Sequence, residues 1–283
     1  MGRAMNDMTA TRSLQSQVSG SSFYAGMRVL PKAEREAMYA VYAFCRAVDD
    51  IADDEAGSRA ERSIALDAWR ADIESLYAGG PPGRAALVEG AVRQFDLAKA
   101  DFLAVIDGMA MDVAGDIRWP PLATLDLYCD RVASAVGRLS VRIFGMEEAP
   151  GIELAFHLGR ALQLTNILRD IDEDAAIGRV YLAAEPLLAA GVVFTTPSEV
   201  VADARIESAC RELARLAHRH YDAANAVLAQ RPRGHLIAPR LMAAIYAKIL
   251  RRMEAAGWAA PRERIRINKT ALVMTVVRLS LIR

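Results

Sequence analysis

Residues 158–182 read LGRALQLTNILRDIDEDAAIGRVYL, and their spacing decides the fold class. Gly159, Gln163, Asn166, Asp170 and Asp174 advance by four, three, four and four, so an α-helix would set them in one polar stripe. Leu164, Ile167, Leu168 and Ile171 fall on the opposite side. Amides leading into two carboxylates differ from the Lys/Glu alternation of a helix that only faces water. Arg169 adjoins the acids, and Arg179 and Tyr181 follow in the turn beyond them. A guanidinium beside clustered carboxylates suits a phosphate, because its fork engages two oxygens at once. A plain ion pair between Arg169 and a neighbouring acid is the simpler alternative.

Working outward, residues 42–55 (YAFCRAVDDIADDE) repeat the logic. Tyr42, Arg46, Asp49 and Asp53 share one helical face, carrying a phenol, a cation and two anions. Two like charges one turn apart repel unless something positive lies between them. A hard divalent cation such as magnesium, which prefers carboxylate and phosphate oxygens and keeps several waters, answers that need. A solvated acidic helix end is the bland alternative for either run alone, and Asp50, Asp172 and Glu173 read as bystanders or supporting groups. Two such runs brought into one cavity would be costly without cations. Together they point to several metal ions and a polyphosphate, with a diphosphate ester as the ligand.

The rest of the chain favours one all-α bundle. Apolar residues recur at helical spacing throughout, as in Ala37, Val41, Phe44 and Val48, while strand-like alternation is scarce. Breakers at residues 79–83, 120–121, 150–151 and 232–239 read as turns between helices. The chain is thus a flexible tail over residues 1–18 and a single domain over 19–283, its helices surrounding a central cavity. In residues 125–145 (LDLYCDRVASAVGRLSVRIFG), Ala133, Gly137 and Ser140 leave room for a long ligand or permit a close helix crossing. Tyr128 lines that cavity or packs in the core. The four histidines show no shared spacing and receive no chemistry.

Of 283 residues, 53% are hydrophobic, and 35 basic residues balance 35 acidic ones, which argues against a nucleic-acid binder. Cys45, Cys129 and Cys210 are too scattered for a zinc site or a disulfide framework, which fits a reducing, cytoplasmic location. The first 20 residues lack the apolar core of a secretory signal. Residues 270–282 are the most apolar run, shorter than the roughly 18 residues of a spanning helix and broken by Arg278; they read as a buried terminal helix. Peripheral contact with the inner face of the membrane stays open, since a very apolar substrate would arrive from lipid.

The two stripes, with YCDRVASAVG (128–137) between them, resemble the squalene/phytoene synthase family. SGSSFYAGMRVLP (19–31), IDGMAMD (106–112) and LMAAIYAKIL (241–250) look most like its bacterial hopanoid-pathway members that form presqualene diphosphate. The resemblance implies an all-α isoprenoid-synthase fold and head-to-head condensation of two farnesyl diphosphates. By motif, Asp49, Asp53, Asp170 and Asp174 would hold Mg2+. Arg46, Gln163, Asn166, Arg169, Arg179 and Tyr181 would bind substrate, and Ser22 and Phe23 would close over it. Tyr42, Tyr128 or the released diphosphate would take the proton. A reaction that stops at presqualene diphosphate needs no NADPH, and a separate squalene-forming enzyme would take the product. Phytoene, squalene or dehydrosqualene are alternative products; a helical scaffold of the same fold is the non-enzymatic one, although both acidic pairs are complete. Asp130 stands where the family carries an aromatic or apolar residue, and Leu182-Ala183-Ala184 lacks the family's proline.

Overall fold

The computed structural model describes residues 27, 29–54 and 56–265. The N-terminal tail, Ser22, Phe23 and the apolar run at 270–282 lie outside them. Twelve α-helices account for the described chain, which holds no strand beyond a single parallel bridge between Arg118 and Val180. In order they are α1 (Lys32–Ala52), α2 (Arg59–Tyr77), α3 (Ala86–Phe95), α4 (Lys99–Ala114), α5 (Leu122–Cys129), α6 (Ala135–Ile143), α7 (Glu148–Arg169), α8 (Ile171–Ala176), α9 (Ala184–Ala189), α10 (Pro197–Ala202), α11 (Ile206–Ala229) and α12 (Ile237–Ala256).

Local chemistry sets many of these boundaries. Ser58 begins α2 with a capping box: its hydroxyl accepts from the Glu61 amide at 3.2 Å, and the Glu61 carboxylate accepts from the Ser58 amide at 2.8 Å. Such a cap is worth about 1 kcal/mol. Thr196 and Glu199 repeat it at α10. Two expected breaks fall elsewhere. Pro150 and Pro239 lie inside the first turns of α7 and α12, where the amide that proline lacks has no helical partner to lose. The stripe from Gly159 to Asp174 is likewise borne by two helices, because α7 ends at Arg169 and Asp170 leaves helical geometry (φ −104°, ψ 19°). The Asp174 amide still donates to the Asp170 carbonyl at 2.8 Å, so the four-residue spacing survives the joint. Where α7 ends, the buried Trp258 indole donates to the orphaned Leu168 carbonyl at 3.0 Å.

Two hydrophobic clusters share the interior. One gathers α1 to α4 around Phe44, whose ring meets Trp69 and Phe102 edge-on at 5.5 and 5.1 Å. The other joins α7, α11 and α12. Helix α5 runs into α6 through one π-helical turn, Asp130–Ser134, against which α7 crosses closely. A Cβ on Gly159 would stand 2.6 Å from the Ser134 Cα, and one on Gly137 would stand 3.1 Å from the Ala155 Cα. The small residues therefore serve a close crossing. Gly137, Ser140 and Gly159 also line a cavity of about 230 Å³ at the seam between the clusters.

Candidate active site

Tyr42 from α1, Gln163 and Asn166 from α7, and Tyr246 from α12 give the cavity its polar rim; the rest of the wall is almost wholly apolar. Two helical turns beyond Tyr42 on α1, and one turn beyond Asn166 at the joint between α7 and α8, the acidic pairs begin. The first occupies the last turn of α1, where the helix dipole favours cations, yet that turn carries no basic residue. Asp53 caps the helix, and Arg179 reaches it from across the chain at 2.6 Å while donating to the Ala52 carbonyl at 2.9 Å. Arg62 donates to the same carbonyl at 2.9 Å. Arg46 pairs with Asp49 at 3.0 Å and Asp50 at 2.8 Å.

The second pair is built differently. Arg169 grips Asp170 with two nitrogens at 2.8 and 2.5 Å, and Arg264 adds a third contact at 2.8 Å. Arg169 thus makes the plain ion pair weighed as its alternative role. Asp172 is engaged by Arg262 at 3.1 Å and Glu173 by Arg264 at 3.1 Å, which leaves Asp170 and Asp174 as the pair that continues the Gln163–Asn166 stripe.

Between the pairs lies a carboxylate that periodicity did not single out. Asp112 of α4 is buried, and each of its oxygens accepts one phenol: Tyr128 at 3.0 Å and Tyr181 at 2.7 Å. The two rings stack with centroids 5.0 Å apart. Tyr128 therefore packs in the core instead of lining the cavity, and burial beside Asp112 holds its hydroxyl protonated, its pKa well above the usual phenol value. Asp112 sits in an apolar run, FLAVIDGMAMDVA, whose two acids inside a helix, Asp107 and Asp112, were the available signal. Tyr246 was missed too; it is buried beside the cavity, and the Arg169 charge is felt there. Asp130 is explained by Arg138 and Arg160, which it accepts at 3.2 and 3.1 Å.

The electrostatics show what the arrangement lacks. Burial, then the charge of Asp53, raises Asp49 to about 6 despite Arg46. Burial, then Asp170, raises Asp174 to about 7 despite Arg179. Asp112 is raised as well, chiefly by burial, and its charge is felt by both Asp49 and Asp174. Burial opposes the Arg179 charge, but Tyr181, Asp112 and Asp53 keep it firmly protonated. The Asn166 Oδ1 is buried with no hydrogen-bond partner. Carboxylates and an orphaned amide oxygen form a hard donor set that fits a cation such as magnesium. Cys45, the cavity's thiol, is pushed up to about 12 by burial and so offers no thiolate. Among the described residues no three His, Cys, Asp or Glu side chains converge on one point, so an ion there would take its remaining ligands from water and phosphate oxygens.

A helical bundle with an apolar cavity and two acidic pairs flanked by arginines suits a prenyl-transferring enzyme, and the comparisons with known proteins show that class. Residues 17–271 match the squalene/phytoene synthase family model, and the chain belongs to that family. It is 61% identical over 268 residues to a presqualene diphosphate synthase of Zymomonas mobilis, covering 94% of this chain and 92% of the relative. A presqualene diphosphate synthase of Rhodopseudomonas palustris is 54% identical, over 93% of this chain and 94% of its own. Among solved structures, a dehydrosqualene synthase in complex with ligand superposes with a TM-score of 0.83 at 25% identity, covering 99% of this chain and 98% of that one. No helix of the described residues is long and apolar enough to cross a membrane.

Proposed function

We propose that the chain condenses two farnesyl diphosphates head to head into presqualene diphosphate, releasing one diphosphate. The observation that carries this reading is an apolar cavity lined by Tyr42, Gln163 and Asn166, with the acidic pairs following further along the helices that bear those residues. The names of the closely similar relatives support the same product. Asp49, Asp53, Asp170 and Asp174 would hold magnesium, with the Asn166 carbonyl beside them; the metal supplies Lewis-acid stabilisation of the charge on the departing diphosphate. Arg46, Arg169 and Arg179 add fixed positive charge around that group. The cavity wall excludes water from the allylic cation left by C–O ionisation. The double bond of the second substrate attacks that cation, and loss of a proton closes the cyclopropane. Tyr42 on the rim or the released diphosphate takes that proton; Tyr128, already donating to Asp112, serves as a fixed support. The chain then needs no reductant, and its amphiphilic product passes at a membrane surface to a squalene-forming enzyme.

Incubation of the purified protein with farnesyl diphosphate and magnesium, with products identified by mass, tests the reading. Presqualene diphosphate and one equivalent of diphosphate are expected, with or without NADPH. Squalene appearing only with NADPH would replace the product assignment, and absence of diphosphate release would end it.

A further inference from the structure

Asp112 calls for an explanation that packing does not supply. A buried carboxylate and two buried phenols lose solvation, and a well-packed apolar group in their place is often neutral or stabilising. Here the carboxylate is satisfied on both oxygens by residues from two other segments: Tyr128 on α5 and Tyr181 in the extended stretch after α8. In an extended chain, residues two apart face the same side, so Tyr181 and Arg179 form one arm. Val180 between them is held by its backbone, donating to the Ile117 carbonyl at 2.8 Å and accepting from the Trp119 amide at 2.7 Å. At the tip, Arg179 bonds Asp53 and the Ala52 carbonyl. The same guanidinium stabilises the charged forms of both Asp112 and Asp174. Asp112, Tyr181, Arg179 and Asp53 are thus links in one connected chain from the core of α4 to the end of α1.

We propose that Asp112 is a positioning residue for diphosphate departure: by anchoring Tyr128 and Tyr181 it fixes the arm that holds the Arg179 guanidinium between the two acidic pairs. The claim rests on reading the site as a diphosphate centre. It separates Asp112 from the four acids on the two stripes, because Asp112 acts through an arginine.

Three linked measurements test it. Asp112→Asn keeps the side-chain shape and removes the charge and one acceptor. Its kcat with farnesyl diphosphate is expected to fall ~100-fold, the scale on which a small misplacement of a reacting group acts, with KM changed by less than about 3-fold. The double variant Asp112→Asn/Arg179→Lys should be no slower than the slower single variant, as expected of residues acting as one unit. Independently of turnover, magnesium with inorganic pyrophosphate should raise the melting temperature of the unaltered protein, and Asp112→Asn should lose most of that rise. Ile106→Val, a buried change on the same helix, should keep it. Unchanged kcat with a lowered melting temperature would make Asp112 merely structural and overturn the proposal, as would losses that multiply in the double variant. Should Asp112→Asn fail to fold, Tyr181→Phe, which deletes a single oxygen, carries the same three readouts. If the unaltered protein shows the pyrophosphate shift but forms no product, the substrate reading falls and the pyrophosphate shift alone judges the positioning claim.

Discussion

The two acidic regions have similar spacing and unequal support. At the end of α1, Asp49 pairs with Arg46, whose side chain is 53% exposed, and the helix dipole adds negative potential. At the joint between α7 and α8, Asp170 is clasped by two arginines and is only 19% exposed, while Asp174 stands in the favourable first turn of α8. Each region therefore holds one carboxylate gripped by a largely buried arginine, Asp53 by Arg179 and Asp170 by Arg169, and one, Asp49 or Asp174, that lacks such a partner. A cation has most to neutralise at Asp49 and Asp174, the two acids raised furthest toward neutrality.

This contrast is broken most directly through turnover. Asp49→Ala and Asp174→Ala should each lower kcat by about 1,000-fold, the upper range for losing one preorganised charge-stabilising group. Product formation measured by mass, alongside circular dichroism to confirm folding, checks both. Activity retained in either variant would dissolve the paired-metal reading and leave the acids as surface charge.

Stability should separate the regions in the other direction. Asp49→Ala removes a repelled, partly exposed carboxylate, so the metal-free protein should hold or gain stability in urea unfolding. Asp170→Ala strips the mostly buried Arg169 of its bidentate partner and should cost about 1–3 kcal/mol. Equal losses in the two variants would mean that the clasp around Asp170 is no tighter than the ion pairs on α1.

Sequence periodicity reached as far as helices are regular. The stripes on α1 and α7 were legible because a turn of helix repeats every three or four residues, and so was the apolar face through Val41, Phe44 and Val48, all buried. The change of helix at Asp170 was not, since its Asp174–Asp170 hydrogen bond preserves the spacing across the break. Asp112 was invisible for another reason: its partners, Tyr128 and Tyr181, are 16 and 69 residues away, and no local pattern encodes that meeting. The same holds for Arg160, which folds onto Asp126 at 2.7 and 3.0 Å and over the Phe156 ring at 3.7 Å. Lone polar residues in apolar runs carry their meaning in tertiary contacts.

The smallest expected effect asks whether the firmness of the second region comes from its arginine clasp or from the far side of α7. That side is stitched to α11 by the Thr165 and Tyr221 hydroxyls at 2.8 Å and by His157 and His220, whose Nδ1 atoms lie 3.0 Å apart. Burial, then His157 and Arg160, lowers His220 from 6.5 to about 4; Arg219 adds to the fall and Asp126 opposes it. A base with a depressed folded pKa binds fewer protons in the native than in the unfolded state, so stability falls as pH drops from about 6.5 toward about 4 and is fully present above that window. Urea midpoints of the unaltered protein should therefore decline through that window more steeply than those of His220→Gln. If the histidine pair is the firmer tie, Asp170→Ala should lose more stability at pH 5 than at pH 7.5, because protonation then loosens α7 from both sides. Equal losses at the two pH values would assign the firmness to the arginines alone.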